Sequence, residues 1–76
     1  MSINIYTTPS CGFCRVAKQY LSGKNVSYTE YDVSRDVHKA EEMVRKSGQM
    51  GVPVIEINGK IIVGFNRPAI DQALAV

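Results

Sequence analysis

Two cysteines three positions apart, Cys11-Gly12-Phe13-Cys14, stand between a β-branched run (Ile3, Ile5, Thr7, Thr8) and a stretch with helical periodicity. A pair placed there constrains the fold, because a strand must run almost directly into a helix whose first turn carries both sulfurs. The placement also points to redox chemistry. A thiol is nucleophilic only as its thiolate, and the free N–H groups and positive dipole end of a helix stabilise that anion. A second thiol one turn further on can attack a mixed disulfide and release the partner, which a single cysteine cannot do.

The alternative is a structural staple. In the chain-entropy model a four-residue loop contributes roughly 2 kcal/mol against about 3 for a fifteen-residue one, and staples normally join distant segments of secreted chains. The N-terminus, Met1-Ser2-Ile3-Asn4-Ile5, has neither a basic segment nor a long apolar stretch, and no window approaches the roughly 18 apolar residues of a membrane span. The expectation is a soluble, cytoplasmic protein with no membrane partner, in which the cysteines form a redox-active disulfide.

Seventy-six residues imply one domain, 1–76. A chain of that size buries only about 60% of the surface it exposes unfolded, so its core is thin. With 45% hydrophobic and 21% charged residues, it has the composition of a globular protein and not of a disordered one. Nine basic against seven acidic residues leave a net charge of +2, too small and dispersed to predict nucleic-acid binding.

Periodicity orders the rest of the chain. Ile3 to Thr7 alternates as a strand, and Thr8-Pro9-Ser10 breaks it. From Phe13, the residues Phe13, Val16, Ala17, Tyr20 and Leu21 recur at helical spacing until Gly23 and Asn25. Val26 to Val33 reads as a second strand whose buried face the pattern leaves open. Ser34 or Asp36 caps a second helix with an inward stripe of Val37, Ala40, Met43 and Val44, ending at Gly48. Val52 to Ile57 and Lys60 to Val63 flank Asn58-Gly59, a strong hairpin signal because a type I′ turn needs two residues tolerant of positive φ. Gly64 to Arg67 turns the chain, Pro68 suits a first helical position, and Ile70, Ala73 and Leu74 line a terminal helix. The order β-α-β-α-β-β-α makes an α/β domain, one four-stranded mixed sheet flanked by three helices.

Three separated signals now coincide: the Cys11–Cys14 motif on a βα junction, Gly51-Val52-Pro53 opening the third strand, and Gly64 after the fourth. Together they resemble the glutaredoxins of the thioredoxin fold across essentially the whole chain, and in particular the short bacterial glutaredoxin-like proteins and NrdH-type redoxins, which share the Gly64-Phe65 pair. The resemblance implies a thiol-disulfide oxidoreductase in which Cys11 is the exposed attacker and Cys14 the resolving thiol. It also implies a cis Val52-Pro53 peptide facing the cysteines. Proline lowers the cost of cis to about 0.5–1 kcal/mol, and Val52 would then offer its backbone to an extended substrate. Gly12, Phe13, Gly64 and Phe65 complete the implied substrate-binding set, with no metal ligand and no tightly bound cofactor.

How much help Cys11 needs is a matter of magnitude. A helix terminus contributes typically 0.3–1 kcal/mol and up to about 2, so the dipole alone lowers a thiol pKa by roughly one unit. The backbone N–H groups of Phe13 and Cys14 are candidates for the rest, with Arg15 and Lys18 as screened cations or merely solvated helix charges. Phe13 either presents an apolar surface to partners or packs into the core. Tyr6 either lines the same groove or sits in the core with its hydroxyl at the edge. His38, among charges and far in sequence from the cysteines, reads as a surface residue.

The chain also departs from the pattern it resembles. Glutathione-using glutaredoxins commonly carry a lysine three residues before the first cysteine, and Gly-Gly followed closely by an aspartate; here stand Thr8 and Gly64-Phe65-Asn66-Arg67. Loss of those charge partners weakens glutathione capture, leaving glutathione as a weak reductant. The expected partners are disulfide-containing proteins as substrates and thioredoxin reductase or glutathione as donor, acting on a monomer. The rival reading is an iron-sulfur-cluster-binding dimer: one CxxC supplies only two ligands, and Gly12 stands where many dithiol glutaredoxins have proline.

Overall fold

The structure, a computed structural model, describes residues 2–75. Strand β1 (Ile3–Thr7) lies inside the sheet because its alternation buries residues on both faces, Ile3 and Ile5 on one and Tyr6 on the other. It pairs in parallel with β2 (Thr29–Asp32) and antiparallel with β3 (Val54–Ile57), which pairs with β4 (Lys60–Val63), giving the order β2-β1-β3-β4. Asn58 and Gly59 both take positive φ, 50° and 88°, in the tight β3–β4 turn that the dipeptide predicts. The expected element order and mixed four-stranded sheet are present.

Helices α1 (Gly12–Gly23) and α3 (Arg67–Leu74) share a core with one face of the sheet: Ile3, Ile5, Ile55 and Ile57 meet Ala17, Leu21 and Ile70. Helix α2 (Val37–Ser47) covers the other face, where Met43 joins Tyr6 and Val54. The register answers which way β2 faces. Glu30 lies opposite Ile5 and Asp32 opposite Thr7, on the α1 side, while Tyr31 lies opposite Tyr6 with ring centroids 5.5 Å apart.

Several boundaries and stripes differ from expectation. Strand β2 begins at Thr29 rather than Val26, since the chain emerging from α1 first turns through Asn25 at φ 59° before reaching the sheet. Strand β3 begins at Val54, because Val52-Pro53 is cis and lies outside the ladder. Helix α1 buries Cys14, Ala17 and Leu21, a spacing of three then four, leaving Phe13 69% and Val16 43% exposed. Starting the helix at Cys11 turns the inner cysteine, and not the aromatic before it, toward the sheet. Asp36 and not Ser34 caps α2, its carboxylate accepting the Lys39 N–H at 3.0 Å. Val37, expected inside, is 70% exposed at the first position of α2, whose buried residue is Met43.

A polar network ties α2 to the sheet. The buried Tyr6 hydroxyl donates to Glu42 at 2.5 Å, and Lys46 donates to Glu56 at 2.9 Å. Burial first, and then the Glu42 bond, push the Tyr6 hydroxyl up to about 12. The Tyr6 bond lowers Glu42, and the Lys46 bond lowers Glu56, from the ordinary value of 4.5. A carboxylate with a lowered native pKa binds fewer protons folded than unfolded just below that value. Its contribution is therefore complete above about pH 4.5 and is lost as pH falls through the native value. Urea midpoints should be flat from pH 6 to 8 and fall below about pH 4.5, and Glu56→Gln should flatten that acid limb; an unchanged limb would remove Glu56 from the account.

Candidate active site

The βα junction acts as the sequence motif requires. Thr8 accepts the Cys11 N–H at 3.3 Å, closing the turn that swings the chain from β1 into α1. Cys11 is the N-cap, with extended φ −90° and ψ 113°, and its sulfur accepts the Cys14 N–H at 3.0 Å. A sulfur thus takes the place of the usual cap oxygen, directed at an orphan amide donor of the first turn. Cys14 supplies this bond; among the described residues, the other expected donor, Phe13, does not. The two sulfurs are joined as a disulfide, with Cα atoms 5.2 Å apart. Cys11 is half-buried, whereas Cys14 retains only 1% exposure.

The third-strand loop meets the motif. Val52-Pro53 is cis, Pro53 is buried, and the Val52 carbonyl oxygen lies 3.8 Å from the Cys11 sulfur. Gly64, at φ 78°, donates its N–H to the Pro53 carbonyl at 2.8 Å, tying the segment after β4 to the proline loop. A side chain at that φ would be strained, which explains the glycine. Gly12 and Phe13 lie exposed on the first turn of α1, so Phe13 offers surface and is not a core residue. Phe65 turns the other way, meeting Tyr20 edge-to-face at 5.7 Å beside Val16 and Arg67.

Other residues lie where the sequence left alternatives. Tyr6 belongs to the α2-side core and not to the cysteine groove. His38 is exposed on α2. Lys18 pairs with Glu30 at 2.9 Å. Sequence reasoning passed over Glu30, whose role depends on pairing between strands distant in sequence. Its carboxylate accepts from the Thr7 hydroxyl at 2.7 Å, and that bond, followed by the one from Lys18, lowers its pKa. These groups line a cleft of about 230 Å³ beside the disulfide, shared by Thr7, Cys11, Cys14, Lys18, Glu30 and Asp32. Among the described residues, no three His, Cys, Asp or Glu side chains converge as a metal site.

A cysteine pair at the head of a helix that packs on the central strand, opposite a cis-proline loop, defines a thiol-disulfide oxidoreductase of the thioredoxin fold. The glutaredoxin family model matches residues 3–62, and the chain belongs to the glutaredoxin family. It is 47% identical over 72 residues, 95% of this chain and 96% of the other, to an uncharacterised glutaredoxin-like 8.6 kDa protein of a rubredoxin operon in Clostridium pasteurianum. A mutant of the thioredoxin-like protein BC3987 superposes with a TM-score of 0.92 at 28% identity, covering 99% of this chain and 96% of that one. The glutaredoxin-like protein NrdH-redoxin of Escherichia coli, described as having a thioredoxin-like activity profile, superposes at 0.81 with 28% identity, over 95% and 93%.

Proposed function

We propose that this glutaredoxin is a monomeric, cytoplasmic dithiol carrier that reduces protein disulfides, with Cys11 attacking and Cys14 resolving. In this reading thioredoxin reductase or a similar flavoprotein reduces it at least as well as glutathione does. The observation that carries the cysteine roles is their inequality: the Cys11 sulfur receives an amide N–H at 3.0 Å on a residue that is only half-buried, while Cys14 is 1% exposed. An incoming disulfide reaches Cys11, and the mixed disulfide holds Cys11 within reach of Cys14. In this reading the backbone of Val52 pairs with an extended substrate segment, which the 3.8 Å separation of its carbonyl oxygen from the Cys11 sulfur supports.

The donor preference rests on the missing charge partners. Thr8 occupies the position where a lysine would meet a tripeptide carboxylate, and Arg67 follows Asn66 where an aspartate would meet an ammonium. Asn66 is used instead to cap α3, accepting the Ala69 N–H at 3.2 Å. The thioredoxin-like profile described for the NrdH-redoxin supports the same preference in a structural neighbour. No helix among the described residues is long and apolar enough to cross a membrane, in keeping with a carrier free in solution.

Parallel NADPH-oxidation assays on one protein disulfide, coupled through thioredoxin reductase or through glutathione and its reductase, test the donor. The flavoprotein route should run at least as fast. A route that runs only with glutathione would overturn the donor assignment, and a coloured dimer after anaerobic iron-sulfide reconstitution would favour the cluster-binding alternative.

A further inference from the structure

Resting on that carrier reading, we propose that Glu30 is a positioning residue for resolution: its carboxylate holds, in the cleft beside the disulfide, the water that takes the proton from Cys14. The step itself makes the need plain. In the mixed disulfide, Cys14 is a thiol; its sulfur must bond to Cys11 as the Cys11–partner bond breaks. The electron pair of that bond departs with the partner's thiolate, the two cysteines end oxidised and the partner reduced, and one proton must leave Cys14. With 1% exposure, Cys14 has almost no bulk water against it, and the open space it touches is the cleft it shares with Glu30.

The bonding around the cleft selects Glu30 from its neighbours. Thr7 and Lys18 both donate to the same oxygen, Oε2, at 2.7 and 2.9 Å, which fixes the carboxylate and leaves Oε1 to accept from a water. Asp32, the other acid of the cleft, is turned toward its own loop: Ser34 donates twice to Oδ1, and Arg35 lies 3.7 Å from Oδ2. The charged groups facing the cleft are then Arg15 and Lys18 from α1 and Glu30 and Asp32 from β2, while Thr7 at the end of β1 and Thr8 just after it contribute only hydroxyls. Glu30 is ionised at neutral pH, its pKa lowered first by the Thr7 bond. It thus accepts a hydrogen bond from water throughout the working range, and an oriented water is a better proton acceptor than a randomly placed one.

The test uses the reduced full chain and one equivalent of a chromogenic aryl disulfide, dithiobis(nitrobenzoate), followed by stopped flow. Attack by Cys11 releases the first aryl thiolate and resolution by Cys14 releases the second, so the two steps are read separately. Glu30→Gln should leave the first phase within about twofold and slow the second about tenfold near pH 7, a modest loss because the amide orients the water less strongly than the carboxylate and other water remains. The gap should close above about pH 9, where hydroxide deprotonates the thiol directly. Glu30→Asp, which keeps the charge but draws it back, should give a smaller slowing, and it decides the matter if the glutamine variant does not fold. An unaltered second phase, equal slowing of both phases, or a gap that persists at high pH would overturn the role of Glu30. Absence of two phases in the unmodified protein, or a first phase that survives Cys11→Ser, would instead overturn the carrier reading beneath it.

Discussion

Cys11→Ser should abolish reduction of protein disulfides, by a factor on the order of a thousand or more, because it removes the group that forms the covalent intermediate. The serine hydroxyl at the α1 N-cap still satisfies an amide of the first turn, so the fold should survive with its far-ultraviolet circular dichroism unchanged. Cys14→Ser should behave differently. It leaves the attack intact but removes release, so mass spectrometry should find the partner attached at Cys11. The same geometry bears on reactivity: the Cys14 N–H at 3.0 Å and the head of α1 both favour the anion at Cys11. Alkylation of the reduced protein should therefore titrate below the ordinary thiol value of about 8.5. An alkylation midpoint at or above that value, or full turnover by the serine variant, would refute the assignment.

The second large effect is on stability. Ile5 is fully buried at the middle of β1, opposite Glu30 of β2 and Ile55 of β3, in the core that receives Ala17, Leu21 and Ile70. Ile5→Ala should cost about 2–5 kcal/mol, the transfer free energy of the lost methyl and methylene groups plus the cavity that β1, held on both sides, cannot close. Set against a total of about 5–15 kcal/mol for a domain, that is a large fraction. At about 4–8 °C per kcal/mol for a chain of this length, a 3 kcal/mol loss lowers the Tm by roughly 12–24 °C. Thermal melts of the oxidised protein measure it. Ile5→Leu, which conserves volume, should cost under about 1.5 kcal/mol, and a similar small loss for alanine would show that the core is looser than its burial indicates.

Much of this organisation is legible in the residues themselves. Alternation in Ile3 to Thr7, the Asn58-Gly59 turn, Pro68 in the first turn of α3 and the placement of the cysteine pair are local signals, each carried by a few adjacent residues. Helical rotation was harder to read. The residues from Phe13 to Leu21 support more than one stripe, and only packing against β1 and β3 selected Cys14, Ala17 and Leu21 over Phe13 and Val16. The same holds at Val37, which has helical spacing but stays 70% exposed.

Element order, a helix opening at the cysteine motif and the nearness of a second sulfur are written in local residue patterns, because these depend on backbone preferences within a turn or two. Packing between distant segments sets the face that Glu30 occupies, the rotation of α1 that buries Cys14, and the 3.8 Å approach of the Val52 carbonyl to the Cys11 sulfur. Those outcomes arise from contacts between segments separated by 12 to 41 positions. No local propensity encodes such contacts; they follow from the parallel register of β1 with β2 and from burial on the two sides of one sheet.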